Sequence, residues 1–144
     1  ATECGLGARD VLRLEAALAL HGNEITEIIN PFEAQLSRFV ELDRENYMIN
    51  NTLNNIKSQE LSKKLIGFEI QGRNIARSHN IIKDNNNIIG EVTSGTYSPT
   101  LNKSIGLGYI SNKSLDINSE ITIEIRSKNI PAKITKIPFY KRSK

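Results

Sequence analysis

One cysteine, Cys4, stands alone in 144 residues. A disulfide framework needs pairs and a cysteine-based zinc site needs clusters, so both are excluded, and a reducing compartment fits best. Tryptophan is absent and aromatic residues make up 6% of the chain, which leaves few rings to stack on the bases of a single-stranded nucleic acid. No apolar run reaches the ~18 residues that a membrane-spanning helix requires. Histidine occurs twice, at His21 and His79, with no partner at metal-ligand spacing. Neither sign of charge dominates: 19 basic residues face 16 acidic ones, for a net charge of +3, which does not by itself argue for nucleic acid. What is present is 38% hydrophobic residues, enough for the core of one ordinary domain, or of a small domain plus a piece of another.

The order of residues divides that material in two. Residues 8–20 (ARDVLRLEAALAL) are good helix formers, with Val11, Leu14 and Leu18 at helical spacing. So little of this segment is polar that it is expected to be buried on more than one side, with a stop at Gly22. Residues 22–32 read as a connection, residues 33–42 fit helix or strand, and residues 47–57 fit a short helix with Met48, Leu53 and Ile56 inward. From about residue 60 the pattern becomes strand and turn. Strands are expected at 65–70, at 81–82 and 88–93 around an Asn-rich loop over 83–87, at 105–110, at 121–126 and at 133–137, with a loop through Ser94-Gly95 and Ser98-Pro99. Short strands without helices between them point to a closed antiparallel barrel. The class is α+β, with a mostly helical part over 1–58 followed by an all-β part over 59–144. The first part is too small and apolar for a natural stand-alone domain.

Arg9 is the most informative single residue. It falls in the first turn of the expected helix, where the partial positive charge of the helix start disfavours a cation by a few tenths of a kcal/mol. A guanidinium beside free backbone N–H groups makes a site for carboxylate or phosphate, with Gly5 and Gly7 allowing close approach. The competing reading is a local pair with Asp10 or Glu15. Arg13, one turn on, shares that face and is more readily taken up by the same two carboxylates. The run Gly90 to Pro99 has the look of a nucleotide loop, but it lacks the Lys-Ser/Thr ending and no helix follows, so a barrel-closing turn is the better reading. His21 and His79 read as lone histidines, Cys4 has no neighbour other than Arg9 to activate it, and Lys136, Lys141, Arg142 and Lys144 read as a solvated basic tail.

Several of these segments resemble one family. Cys4 to Ala16 (CGLGARDVLRLEA) is similar to the GLGARDxLRLEAG motif of the glycine-cleavage-system T-protein, the tetrahydrofolate-dependent aminomethyltransferase. His21 to Glu24 resembles its YGN(D/E) segment, Leu65 to Glu69 its LVGFE strand, and Gly90 to Leu101 its IGxVTSGTxSPxL signature. Ile105 to Tyr109 and Lys136 to Phe139 match the following strand and the closing K-x-P-F. The resemblance runs in order over nearly the whole chain. Ala17 departs from it, standing where the family usually has glycine, and Tyr140 comes earlier than a tyrosine with which some members hold the folate.

The resemblance implies a helical remnant of a folate-binding domain over 1–58 and a C-terminal antiparallel β-barrel domain over 59–144, together the C-terminal portion of a longer, three-domain protein. It implies that the whole protein takes an aminomethyl group from the lipoyl arm of the H-protein, releases ammonia and passes the methylene to tetrahydrofolate, without a metal. It also implies that Arg9 contacts the folate and that the family's catalytic aspartate lies outside these residues, so no catalytic residue is expected among them. The expected partners are the lipoylated H-protein and the missing N-terminal part, with neither nucleic acid nor membrane. The compartment would be the cytoplasm in a bacterium or the mitochondrial matrix in a eukaryote. Two alternatives are a related folate enzyme, such as a dimethylglycine or sarcosine dehydrogenase module or a demethylase, and a non-catalytic β-barrel binding module, for instance for RNA.

Overall fold

The computed structural model describes residues 1–42, 48–111 and 115–142. Its elements, in chain order, are helix α1 (Leu6–Glu15), a single 3₁₀ turn (Ser37–Phe39), helix α2 (Asn50–Ser58) and six strands. The strands are β1 (Lys64–Ile70), β2 (Ile81–Asp84), β3 (Asn87–Ser98), β4 (Lys103–Ile110), β5 (Glu120–Ile125) and β6 (Lys128–Thr135). All pair antiparallel, in the order β1-β4-β3-β2-β5-β6, and the ring closes through β6 on β1. The expected closed barrel is therefore the observed one. No described helix is long and apolar enough to cross a membrane.

Strand alternation separates two cores. Inward residues such as Ile66, Phe68 and Ile70 of β1, Ile82 of β2, Val92 of β3, Ile123 of β5 and Ile134 of β6 fill the barrel. On β4 the inward Ile110 joins this core, while Gly106 and Gly108 stay small, because a Cβ at Gly106 would collide with the Phe68 ring and one at Gly108 with the Ile82 side chain. The outward positions of the same wall are apolar too. Leu65, Ile105, Leu107 and Tyr109 form a second core with Leu14 of α1, joined by Ile29 and Phe139. Strands β1 and β4 thus have both faces covered, and the outer cover is the helical part of the chain.

Several expectations are corrected by backbone geometry. The Asn-rich loop shrinks to the two-residue turn Asn85-Asn86, with φ of 46° and 71°; this is the twist that a tight hairpin demands and that asparagine tolerates. Arg126-Ser127 forms the same kind of turn, with φ of 50° and 62°, so β6 begins at Lys128 and not at residue 133. The stretch from Ser94 to Ser98 is strand and neither loop nor turn, since β3 continues through it paired to β4. Residues 33–42 form turns around the 3₁₀ segment, and the part over 1–58, expected to be mostly helical, is α-helical among its described residues only over α1 and α2, 10 and 9 residues long, with turns and irregular chain between. Helix α2 starts at Asn50; Leu53 and Ile56 are half-buried but Met48 is almost fully exposed. Tyr47 of that expected helix lies outside the described residues, as does Lys144 of the tail.

Helix α1 ends at Glu15, well before Gly22. Ala17 adopts φ 52°, the Ala17 N–H donates to the Leu14 carbonyl at 2.9 Å, and the Leu18 N–H reaches back to Arg13 at 2.8 Å. This paired closure calls for a left-handed residue, for which glycine is the ordinary choice. The early stop also corrects the burial of the helix. Leu14 is fully buried, while Leu12 and Leu18 are 65% and 55% exposed, so one side packs on the barrel and the other faces solvent. Alanine in the left-handed region is strained by about 1–2 kcal/mol, partly offset in glycine by its freer unfolded chain. Ala17→Gly is therefore expected to stabilise the protein by about 1 kcal/mol, seen as a higher urea midpoint at unchanged slope; an unchanged or lower midpoint would show that Ala17 is not strained.

Candidate functional site

The helical part is fastened to the barrel by buried polar groups whose pairing spans long stretches of sequence. Glu24 lies in the segment read as a connection, yet it is fully buried. Its Oε2 accepts from the Arg13 Nη1 at 2.9 Å and from the Leu20 N–H at 2.9 Å. Its Oε1 accepts from the hydroxyls of Thr93 at 2.6 Å and Ser94 at 2.5 Å. Those four donors fill the acceptor capacity of a carboxylate. Neighbouring residues of a strand ordinarily point to opposite faces, but the ladder between β3 and β4 slips at Thr93. The resulting bulge turns both hydroxyls toward one carboxylate.

Ser94 is used to its limit. While donating to Glu24, its Oγ accepts from Arg13 Nη2 at 2.9 Å and from Asn23 Nδ2 at 3.0 Å. Arg13 also donates through Nε to Asp10 Oδ1 at 2.8 Å and is left only 10% exposed. Four residues along β3, Ser98 donates to the buried Glu15 at 2.5 Å and accepts from the Leu101 N–H at 3.0 Å. A third buried carboxylate, Glu33, accepts from Ser62 Oγ at 2.6 Å. Tyr109 donates its hydroxyl to the Glu24 backbone carbonyl at 2.8 Å. Burial first, and then the charges of Glu24 and Glu33, hold this phenol protonated far above the ordinary tyrosine range.

These assignments bear on Arg9. Of its two possible local partners, Asp10 is taken by Arg13 and Glu15 by Ser98. Arg9 itself is exposed and has no hydrogen-bond or ion-pair partner among the described residues. It ends the first turn of a helix whose N-cap, Gly5, offers no side-chain cap and whose first turn carries no acidic residue. A cation with free valence beside uncapped N–H groups can recognise an anion. Arg13, by contrast, is consumed by the protein. His21 forms an isolated bridge with Ile25, and the His79 ring approaches Glu91 at 3.4 Å. Cys4 is exposed, with its thiol toward the Thr2 carbonyl.

Comparisons with known proteins give the family of the chain. The family pattern described as the glycine cleavage T-protein C-terminal barrel domain matches residues 63–141, and the one described as the GCVT N-terminal domain matches residues 1–44. An aminomethyltransferase of Natranaerobius thermophilus is 46% identical over 139 residues, covering 96% of this chain and 38% of that protein. One from Bacillus mycoides is 46% identical over 142 residues, covering 98% and 39%. The crystal structure of glycine cleavage system aminomethyltransferase T from Bartonella henselae superposes with a TM-score of 0.87 at 32% identity, over 94% of this chain and 39% of that one. The chain thus spans 38–39% of the length of these relatives.

The Tyr109 environment sets a pH dependence. In the unfolded chain the phenol loses its proton near pH 10, whereas in the folded protein it keeps it. Above that pH the unfolded state binds fewer protons than the folded one, so stability falls as pH rises. Urea unfolding between about pH 8 and 11 should show this decline, and Tyr109→Phe should remove the part due to Tyr109. Identical slopes for the two proteins would mean that the phenol is not held in its neutral form.

Proposed function

The chain belongs to the glycine cleavage T-protein family, and we propose from this that it works as part of an aminomethyltransferase that passes a methylene group to tetrahydrofolate. The relatives' names support the reaction. The observation that carries the role of this chain is the free Arg9, held on a helix whose other charged groups are all engaged. In this reading residues 1–58 complete a folate-binding domain, residues 59–144 are the C-terminal barrel, and Arg9 takes a carboxylate of the folate through its two-pronged guanidinium. The free guanidinium and the uncapped helix start suit such a group in charge and in donor geometry. The aminomethyl group arrives on the lipoyl arm of the H-protein and ammonia departs. The aspartate required for the chemistry is supplied by a part of the protein outside these residues. What this chain contributes is binding and orientation, since substrate held in a productive pose lowers the barrier without any group of the chain reacting.

Two outcomes follow. The 144-residue chain alone, given aminomethyl-loaded H-protein and tetrahydrofolate, should form no methylene-tetrahydrofolate above background; turnover at the rate of a complete aminomethyltransferase would refute this division of labour. In the complete enzyme, Arg9→Ala should weaken tetrahydrofolate binding by about 10- to 150-fold, the equivalent of roughly 1.5–3 kcal/mol for a lost charged hydrogen bond. Arg9→Lys should restore only part of the affinity, because the fork geometry is gone. Titration calorimetry decides the matter, and unchanged affinity in a folded Arg9→Ala enzyme would leave Arg9 without a ligand.

A further inference from the structure

Helix α1 is supported at one end only. Residues 1–9 are all exposed, and anchoring begins with Asp10 and runs to Glu15. Arg9 therefore sits on the free end of a cantilever, and Arg13, one turn behind it on the same face, is the residue tied to Glu24 and to the barrel. The clamp joins a helical neighbour of Arg13, Asp10, to two groups from beyond the helix, Glu24 from the following segment and Ser94 from the bulge of β3. Rotating α1 by about 10° would carry a group ~6 Å from the helix axis by about 1 Å. That is twice the tolerance of about 0.5 Å for a well-placed contact.

We infer that the Arg13–Glu24–Ser94 cluster is a positioning device for tetrahydrofolate binding, setting the rotation and tilt of α1 so that the Arg9 guanidinium meets the ligand carboxylate. Arg13, Glu24 and Ser94 touch no ligand in this scheme and act through Arg9 alone. The inference rests on the reading of Arg9 as the folate contact. It also gives the hydroxyls of the Val92 to Ser98 run a second use beyond holding the barrel and the helical part together.

The test is a double-mutant cycle in the complete aminomethyltransferase, with tetrahydrofolate as the titrant and melting temperature recorded for every variant. Ser94→Ala removes the hydroxyl shared by Arg13 and Glu24 and leaves the ion pair. It should raise the tetrahydrofolate KM about 5-fold while leaving kcat at saturating tetrahydrofolate nearly unchanged. In an Arg9→Ala background the same substitution should change KM by less than about 1.5-fold, because the group being aimed is gone. Thr93→Val, which removes one donor to Glu24 at constant shape, should behave alike and replaces Ser94→Ala if the latter fails to fold. An undiminished effect in the Arg9→Ala background would show that the cluster acts by some other route and overturn the inference, as would a Ser94→Ala enzyme with unaltered KM. If Arg9→Ala itself has no effect on KM, the folate reading fails and the inference falls with it, an outcome distinct from the other two.

Discussion

A carboxylate taken wholly out of water must be met by donors, and the arrangement around Glu24 answers that demand. A buried ion pair stripped of one partner costs about 3–5 kcal/mol, so the donors cannot be optional. Arg13 supplies charge, the Leu20 N–H closes the local chain, and Thr93 and Ser94 supply two hydroxyls from the barrel. The bulge in β3 exists in a form that serves this need: without the slip at Thr93, one of the two hydroxyls would face the apolar interior. The position of α1, the seating of residues 20–25 and the burial of Tyr109 all follow from where Glu24 is held.

The outer face of β3 behaves as a row of hydroxyls to which the helical part is pinned. Ser94 and Ser98 lie on one face of the strand and hold Glu24 and Glu15 respectively. Between and beneath these polar pins lies the apolar contact of Leu14 with Leu65, Ile105 and Leu107. The apolar surface supplies most of the attraction, since it is area removed from water that drives association. The pins supply register, because a shift by one residue would leave buried carboxylates without donors. This division explains how a short helix with much of its apolar surface still in solvent keeps a defined orientation.

The barrel was legible in the sequence and the fastening was not, for a physical reason. Alternation at Ile121, Ile123 and Ile125 or along Leu65 to Ile70 is a local signal, fixed by the two-residue period of a strand. So is the Asn85-Asn86 turn, whose left-handed backbone asparagine accepts. Arg126-Ser127 adopts a similar backbone with residues that do not advertise it, and β6 was cut short as a result. The burial of Glu24 is not legible from its neighbours, since two of its four donors are hydroxyls 69 and 70 residues away. Arg13 was half legible: its pairing with Asp10 follows from helical spacing, while its tie to Ser94 spans 81 residues. For Arg9 the sequence sets a ligand against a local pair, and in the structure Asp10 and Glu15 bond instead to Arg13 and Ser98. The one written hint of the early end of α1 was alanine at position 17, where the family usually has glycine.

The long sequence separation of the Glu24 bonds has a consequence for synthesis. At about 5–20 residues per second, the ~70 residues between Glu24 and its hydroxyl partners take roughly 4–14 s to be made. During that interval Leu14 lacks the wall it packs on and Glu24 lacks two of its four donors. The earlier-made segment therefore cannot mature as it is produced. Its docking onto the barrel waits until β3 and β4 have been made.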